Sequence, residues 1–201
     1  MSARPPRLSR EAILDTARTM VVAQGIDAFS LRRLATRLGV TAPSLYRFFD
    51  SKDAIVAAIA ESAFGDLIDA IERAAAGVDD PILRIKAQSV AYVECAVANP
   101  ALFAVMFAYR PPWTDLANAP ELPLASKAWQ LASVAVEEAT AAGRLREPDP
   151  VLAALTIWSA VHGVATVLTV GAPPAGSLDR ALVTSVVDAV VDGLAVRGRD
   201  G

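Results

Sequence analysis

Seven of the hydrogen-bond donors between positions 32 and 47 fall where we expect exposed side chains, and they are the best candidates for chemistry in this chain. They are Arg32, Arg33, Arg37, Thr41, Ser44, Tyr46 and Arg47. Guanidinium and hydroxyl groups donate hydrogen bonds to phosphate oxygens and to the edges of bases. The chemistry that these residues predict is non-covalent recognition of a nucleic acid.

Two short helices joined by a tight turn are needed to position these side chains. Ser30 can cap the first helix, and Gly39 follows it at a point where a positive φ carries no Cβ penalty. Thr41 can cap the second helix, with Pro43 in its first turn. The apolar positions recur at helical spacing: Leu31, Leu34, Ala35, Leu38, Leu45, Phe48 and Phe49. Residues 31–50 therefore predict a helix-turn-helix that could enter a DNA major groove, with an ordinary helical hairpin as the alternative.

The charge of the chain is unevenly distributed. The whole chain of 201 residues has a net charge of −3, whereas residues 1–50 hold eight arginines against four acidic residues, a net +4. Positive charge is thus concentrated around the predicted helix-turn-helix, which is the distribution that attracts duplex DNA. Residues 1–8 predict either an arm that reaches along the DNA or a disordered tail.

The remaining composition argues against several other classes of protein. A single cysteine, Cys95, excludes an intrachain disulfide and a cysteine-based metal cluster. We expect no metal site and no cofactor, since the sequence has no phosphate-binding glycine loop and no HExxH-like spacing. A helical enzyme using His162 stays as a less favoured alternative. The N-terminus has no apolar signal-peptide run, so a cytoplasmic location is expected.

The C-terminal part of the chain predicts further helices. Asp50 is expected to cap a long helix that ends before Gly77 and links the head to the rest of the chain. From residue 150 to residue 178 no charged residue occurs. A membrane span is one interpretation of this run. We favour a helix that is buried on nearly every side, because polar residues interrupt the run and basic flanking clusters are missing.

Aromatic and polarisable side chains of the C-terminal part could line an apolar ligand pocket. The candidates are Tyr92, Phe103, Phe107, Trp113, Trp129, Trp158 and His162. For any one of them, an ordinary place in the core is the simpler interpretation. His162 is the sole histidine. It is either a hydrogen-bonded core or interface residue or a ligand contact.

The last two predicted helices carry more apolar surface than one domain can bury, which favours a homodimer built as a four-helix interface. Small residues on the first of these two helices would let a helix of the partner subunit approach closely. Apolar residues line one side of the second. The candidate interface residues are Ser159, Gly163, Thr166, Val183, Val187 and Val190.

Residues 10 to about 56 resemble the TetR family of bacterial transcriptional regulators. The most specific matches are Gly39-Val40-Thr41, Ser44-Leu45-Tyr46 and the closing run at residues 49–53. The resemblance implies an all-α fold, with a three-helix DNA-binding head at residues 9–68 and a helical bundle for ligand binding and dimerisation at 69–201. The C-terminal domain also weakly resembles a Trp–His–Gly subgroup of this family, through Trp158 and His162.

By resemblance and by position, one set of residues faces the DNA groove: Thr41, Ala42, Pro43, Ser44 and Arg47. Tyr46 and Lys52 would hold phosphate, together with Ser30 at the start of the preceding helix. Arg32 and Arg33 of that helix are further candidates for DNA contacts. Arg47 is the one strong candidate for reading guanine, with a phosphate contact as the alternative. Tyr46 could instead be a core residue.

The function expected from these observations is a ligand-responsive transcriptional regulator. The resemblance favours a homodimeric repressor that a small apolar effector releases from a double-stranded DNA operator, with no membrane involved. A DNA-binding architectural protein without an effector is the alternative. The aromatic-rich C-terminal part favours the regulator.

Overall fold

The computed structural model describes residues 8–108, 122–170 and 177–196, without the side chains of 177–179. Within these ranges the chain forms nine helices, and its only strand-like pairing is an isolated bridge between Leu145 and Ala195. The helices are α1 (Arg10–Gln24), α2 (Leu31–Leu38), α3 (Ala42–Leu45), α4 (Lys52–Ala75), α5 (Pro81–Ala98), α6 (Pro100–Ala108), α7 (Pro123–Ala141), α8 (Pro150–Thr169) and α9 (Ser177–Leu194). The all-α fold predicted from the sequence is confirmed.

The first compact unit contains the described residues 8–63 and 101–108. In this unit α1 packs against α2, and α2 packs against α3. The Ser9 hydroxyl caps α1 by accepting a hydrogen bond of 3.0 Å from the Ala12 N–H. Gly25 ends α1 with φ at 75°. The buried side chains of the three helices and their connections include Ile13, Val21, Phe29, Leu34, Leu45 and Phe49.

The second compact unit contains residues 64–100 and the described residues 122–170 and 177–196. Helix α5 is central to it, because α5 contacts α7, α8 and α9. Asp80 and Asp149 cap α5 and α8, each accepting hydrogen bonds from two backbone N–H groups of the following helix. Pro81 and Pro150 open the two helices at positions where a missing N–H costs little.

The two compact units divide at residues 63 and 64, inside α4, and 101–108 of α6 group with the first unit, while the domain boundary expected after residue 68 stays a prediction. One expectation about the elements differs from the structure. The cap of α4 is Ser51 and not Asp50: the Ser51 hydroxyl accepts a hydrogen bond of 3.0 Å from the Ala54 N–H. Asp50 precedes the actual start of the helix and is exposed. The arm expected at 1–8 lies outside the described residues, apart from its last residue.

Helix α8 is less buried than its sequence suggested. Its inner side packs within the second unit, where Ala153, Ile157 and Ala165 are buried. Its other side exposes Leu152, Leu155 and Val167, and Val170 directly after the helix is exposed as well. The expectation of a helix buried on nearly every side is therefore wrong for the single chain, because that chain covers only one side of α8.

Helix α8 is also long and apolar enough to cross a membrane, by length and composition alone. This is weak evidence for a membrane span, since the core helices of non-membrane proteins meet the same criteria.

Candidate functional site

The turn between α2 and α3 has the geometry that the sequence predicted. The Ser30 hydroxyl accepts a hydrogen bond of 3.2 Å from the Arg33 N–H and caps α2. Gly39 ends α2 in the left-handed conformation, with φ at 69° and ψ at 28°. The next N–H, that of Val40, donates to the Ala35 carbonyl at 3.0 Å. These bonds satisfy backbone groups at the helix ends and fix where α3 begins.

None of the ten predicted DNA-contacting residues is buried in the core. Seven are exposed, namely Arg32, Arg33, Thr41, Pro43, Tyr46, Arg47 and Lys52. The other three, Ser30, Ala42 and Ser44, are half-buried. Between Thr41 and Arg47 only Leu45 is buried, and it anchors α3 to the head. The alternative of Tyr46 as a core residue is wrong, since Tyr46 is 52% exposed.

The Thr41 side chain does not cap α3, contrary to the expectation. Its hydroxyl lies 2.9 Å from the Ser44 hydroxyl, and either group can be the donor. The backbone carbonyl of Thr41 instead accepts a hydrogen bond of 3.0 Å from the Ser44 N–H. The two side chains therefore form an exposed hydroxyl pair, which keeps hydrogen-bonding capacity for a phosphate or a base edge.

Arg33 has a structural role that its sequence position did not reveal. Its guanidinium donates to the Ala28 carbonyl at 3.1 Å and also to the Gln24 side chain. These bonds tie α2 to the end of α1. Arg33 therefore helps to orient the helix-turn-helix in addition to carrying a charge near its surface.

Arg10 is a residue of the head that sequence reasoning missed. Its guanidinium donates a hydrogen bond of 2.6 Å to the Phe48 carbonyl. The same group lies 4.0 Å from the centre of the Phe49 ring, a favourable cation–π distance. Arg10 thus holds the segment after α3 from the start of α1. No spacing rule links two residues so far apart in sequence.

Arg47 and Lys52 each rest on an aromatic ring and keep an exposed charge. The Arg47 guanidinium lies 5.8 Å from the centre of the Phe48 ring, and Lys52 Nζ lies 5.9 Å from that of Phe29. Phe29 directly precedes Ser30, so the Lys52 ammonium lies near the start of α2. A helix N-terminus and a nearby ammonium both favour a phosphate.

A cavity of about 60 Å³ lies in the second unit, between α5, α7 and α8. Three predicted pocket residues, Tyr92, Trp129 and Trp158, line it. The Trp129 and Trp158 rings meet edge to face, with their centres 6.4 Å apart. Sequence reasoning did not select Gln88 and Ser89, which also line the cavity and are 6% and 8% exposed. The signal that could have identified them is a polar residue on the buried face of α5.

His162 lies at the edge of this aromatic group. Its Nδ1 is 2.8 Å from the Tyr92 hydroxyl, and its ring stacks on Trp158 with the centres 5.0 Å apart. Burial lowers the pKa of His162 below its usual 6.5. Burial also raises the pKa of Tyr92, against an opposing hydrogen bond from Trp158. Both groups are therefore neutral at pH 7, and His162 is hydrogen-bonded within its own unit.

The other predicted pocket residues are not among those described around this cavity. Phe103 and Phe107 pack on each other in α6, with ring centres 5.0 Å apart, and belong to the first unit. Trp113 lies outside the described residues. The even scatter of aromatic residues along the sequence could not show this division, because it depends on which helices pack together.

The predicted interface residues also divide into two groups. Ser159, Gly163 and Thr166 are exposed on α8, and Val190 of α9 is half-buried. Val183 and Val187 are only 6% and 2% exposed, because this side of α9 faces its own unit. Their assignment to the interface is corrected: they are core residues of the single chain.

The sequence and the fold match one family of known proteins. A family described as bacterial regulatory proteins, tetR family, matches residues 13–59, and one described as tetracyclin repressor-like, C-terminal domain, matches residues 85–192. An uncharacterised HTH-type transcriptional regulator from Mycobacterium tuberculosis is 31% identical over 163 residues, which cover 80% of this chain and 70% of that protein.

The solved structures that share this fold include the following two. A protein of unknown function from a Rhodococcus species is 30% identical, with a TM-score of 0.80 over 96% of this chain and 100% of that chain. The TetR family transcriptional regulator PfmR from Thermus thermophilus is 22% identical, with a TM-score of 0.65 over 90% and 97% of the two chains. The chain therefore belongs to the TetR family of DNA-binding bacterial transcriptional regulators.

Proposed function

We propose that the protein is a homodimeric repressor that a small, mainly apolar effector releases from its operator. It acts in the cytoplasm and blocks transcription by occupying a double-stranded DNA site. The observation that carries the proposal is the exposed surface of α3 and its neighbours, which groups hydroxyl and guanidinium donors on a head with net positive charge.

Base recognition in this proposal depends on few side chains. Arg47 reads a guanine, and the Thr41–Ser44 hydroxyl pair contacts a neighbouring base or phosphate. Ala42 and Pro43 have no side-chain donor, so they contact apolar groups such as a thymine methyl. Ser30, Tyr46 and Lys52 hold phosphates, with Arg32 and Arg33 adding positive charge.

The uncovered face of α8 supports the homodimer. Apolar residues such as Leu155 and Val167 are exposed beside the small residues Ser159 and Gly163. A second copy of the chain would bury these residues, and a two-fold pair presents two heads to half-sites about 34 Å apart, or multiples of that distance.

The cavity in the second unit supports the effector. Its walls are mainly apolar and aromatic, which is typical of small-molecule sites. Effector binding favours a spacing of the two heads that no longer fits both half-sites, so the affinity for DNA falls.

The test uses the full-length protein and a duplex enriched from a random pool. Sedimentation should give a dimer at micromolar concentration and two or more chains per duplex. Placed across a promoter, the enriched site should reduce transcription in vitro when the protein is added. Sedimentation of monomer alone would contradict the homodimer, and unchanged or increased transcription would contradict the repressor.

A further inference from the structure

We propose that Arg10 is a positioning residue that determines specificity: it makes no contact with DNA and fixes the backbone from which Arg47 reaches a base. This inference rests on the proposed function, in which Arg47 reads a guanine, and it adds a second residue to that recognition. It depends on three features of the segment after α3: its short helical structure, its contacts with Arg10 and its position beside Arg47.

The segment that carries Arg47 lies between two helices. Helix α3 has only four residues and ends at Leu45, and α4 begins at Lys52. Between them, the backbone N–H groups of Phe48 and Phe49 both donate to the Leu45 carbonyl, at 2.9 and 3.1 Å. A run this short gains little stability from helical hydrogen bonds alone. The direction of the Arg47 side chain therefore depends on contacts that hold this segment from other elements.

Arg10 provides such contacts from the first turn of α1. Its guanidinium donates a hydrogen bond of 2.6 Å to the Phe48 carbonyl and lies 4.0 Å from the centre of the Phe49 ring. The Phe49 side chain is itself only 2% exposed, so it is a fixed support. A planar guanidinium can donate to an oxygen and stack on a ring at the same time. The two contacts therefore hold the backbone on the C-terminal side of Arg47.

Arg47 directly precedes the carbonyl that Arg10 holds. Phe48 supplies this carbonyl and also the ring on which the Arg47 guanidinium rests, 5.8 Å from the ring centre. A change of backbone direction at Phe48 would therefore move both the Arg47 side chain and its support. Bidentate hydrogen bonds to guanine require accurate placement, whereas attraction to phosphates acts at longer range. Loss of Arg10 should thus reduce discrimination between sequences more than overall affinity.

The experiment compares Arg10→Met and Arg10→Lys with the parent, all as full-length proteins. Fluorescence anisotropy gives the affinity for the enriched duplex and for the same duplex with the G·C pairs of both half-sites replaced by A·T pairs. Arg10→Met should lower the ratio of these affinities about fivefold or more, since each of two heads loses a charged hydrogen bond and a cation–π contact. Arg10→Lys keeps a donor and the charge, so its ratio should lie between the other two. An unchanged ratio in Arg10→Met would overturn the proposal.

The salt dependence of binding separates positioning from a direct phosphate contact. If Arg10 held one phosphate per head, the slope of log K against log[salt] would become shallower by about 1.8 in Arg10→Met. A positioning residue leaves the slope unchanged, so flattening of this size would overturn the proposal. Arg73→Met, at an exposed arginine of the second unit, is the matched control and should bind DNA like the parent protein. Urea unfolding of each variant identifies conditions in which all of them are folded.

The double variant Arg10→Met/Arg47→Ala tests whether Arg10 acts through Arg47. If it does, Arg10→Met should change the ratio of affinities by less than about twofold once Arg47 is already alanine. An equally large effect of Arg10→Met with and without the Arg47 side chain would overturn the inference and leave the base contact intact. If Arg47→Ala itself leaves the ratio unchanged, the base contact in the proposed function fails, and the role of Arg10 fails with it.

Discussion

Replacing Lys52 by alanine tests the phosphate-binding part of the head. The Lys52 ammonium is exposed at the start of α4 and lies 5.9 Å from the centre of the Phe29 ring, close to the start of α2. If it holds one phosphate per head, a dimer loses two phosphate contacts in Lys52→Ala. Each lost contact changes the slope of log K against log[salt] by about 0.9, so the slope should become shallower by about 1.8.

This change in slope gives a measurable difference in affinity. Between about 50 and 200 mM salt, the parent protein should lose roughly twelvefold more affinity than Lys52→Ala. The assay is fluorescence anisotropy on one labelled duplex, titrated at five or more salt concentrations. The loss of affinity should be similar for specific and unrelated duplexes, because phosphates carry no sequence information.

Lys127→Ala is the matched control for Lys52→Ala. Lys127 is also exposed, but it lies in the second unit, where its ammonium is 3.7 Å from a Glu72 carboxylate oxygen. This variant removes the same charge and should leave the slope unchanged. An unchanged slope in Lys52→Ala, or equal flattening in both variants, would refute the assignment of Lys52 to phosphate.

Three other substitutions test the base contact, the turn and the aromatic group. Arg47→Ala should relax the preference at one position per half-site, at a cost of about 1–3 kcal/mol; an equal loss on all duplexes would show a phosphate contact instead. Gly39→Ala should lower the free energy of unfolding by about 1–2 kcal/mol in denaturant unfolding, because a residue with a Cβ is strained at the positive φ of this position. No neighbouring atom would clash with the added Cβ, so the backbone strain is the whole effect. Gly193→Ala, at a helical glycine with equally open surroundings and ordinary φ, should not destabilise the protein. His162→Gln should flatten the pH dependence of stability. Since burial lowers the pKa of His162 below 6.5, the parent protein is fully stabilised above pH 6.5 and loses stability as the pH falls through the folded-state pKa. Urea unfolding at pH 7.5 and 5.5 measures the change in unfolding free energy. If the parent protein and His162→Gln lose the same unfolding free energy between these pH values, the role of His162 is contradicted.

The local geometry of the head could be predicted from the sequence because it depends on short-range rules. Gly39 takes a positive φ, Ser30 caps α2, and Leu34 and Leu45 are buried, as their types and spacing indicated. Errors arose where two residues could fill one role. Ser51 and not Asp50 caps α4, since the first turn of the helix starts one residue later than expected.

Long-range packing could not be predicted in the same way. Periodicity shows that Val183 and Val187 share one face of α9, but both a partner subunit and the chain's own core can cover such a face. Similarly, an aromatic side chain lines a cavity only if its helix packs around that cavity. Phe103 and Phe107 have suitable side chains, yet their helix belongs to the other unit.

Selection of bound duplexes from a random pool tests the central claim most directly. After repeated rounds with the full-length protein at moderate salt, a two-fold-symmetric sequence should be enriched, with half-sites separated by about one turn of DNA or a multiple of it. Selection with Arg47→Ala should give the same spacing but lose the preference at one position in each half-site. If no sequence is enriched, and the folded protein binds no duplex at low ionic strength, the exposed surface of α3 does not read DNA.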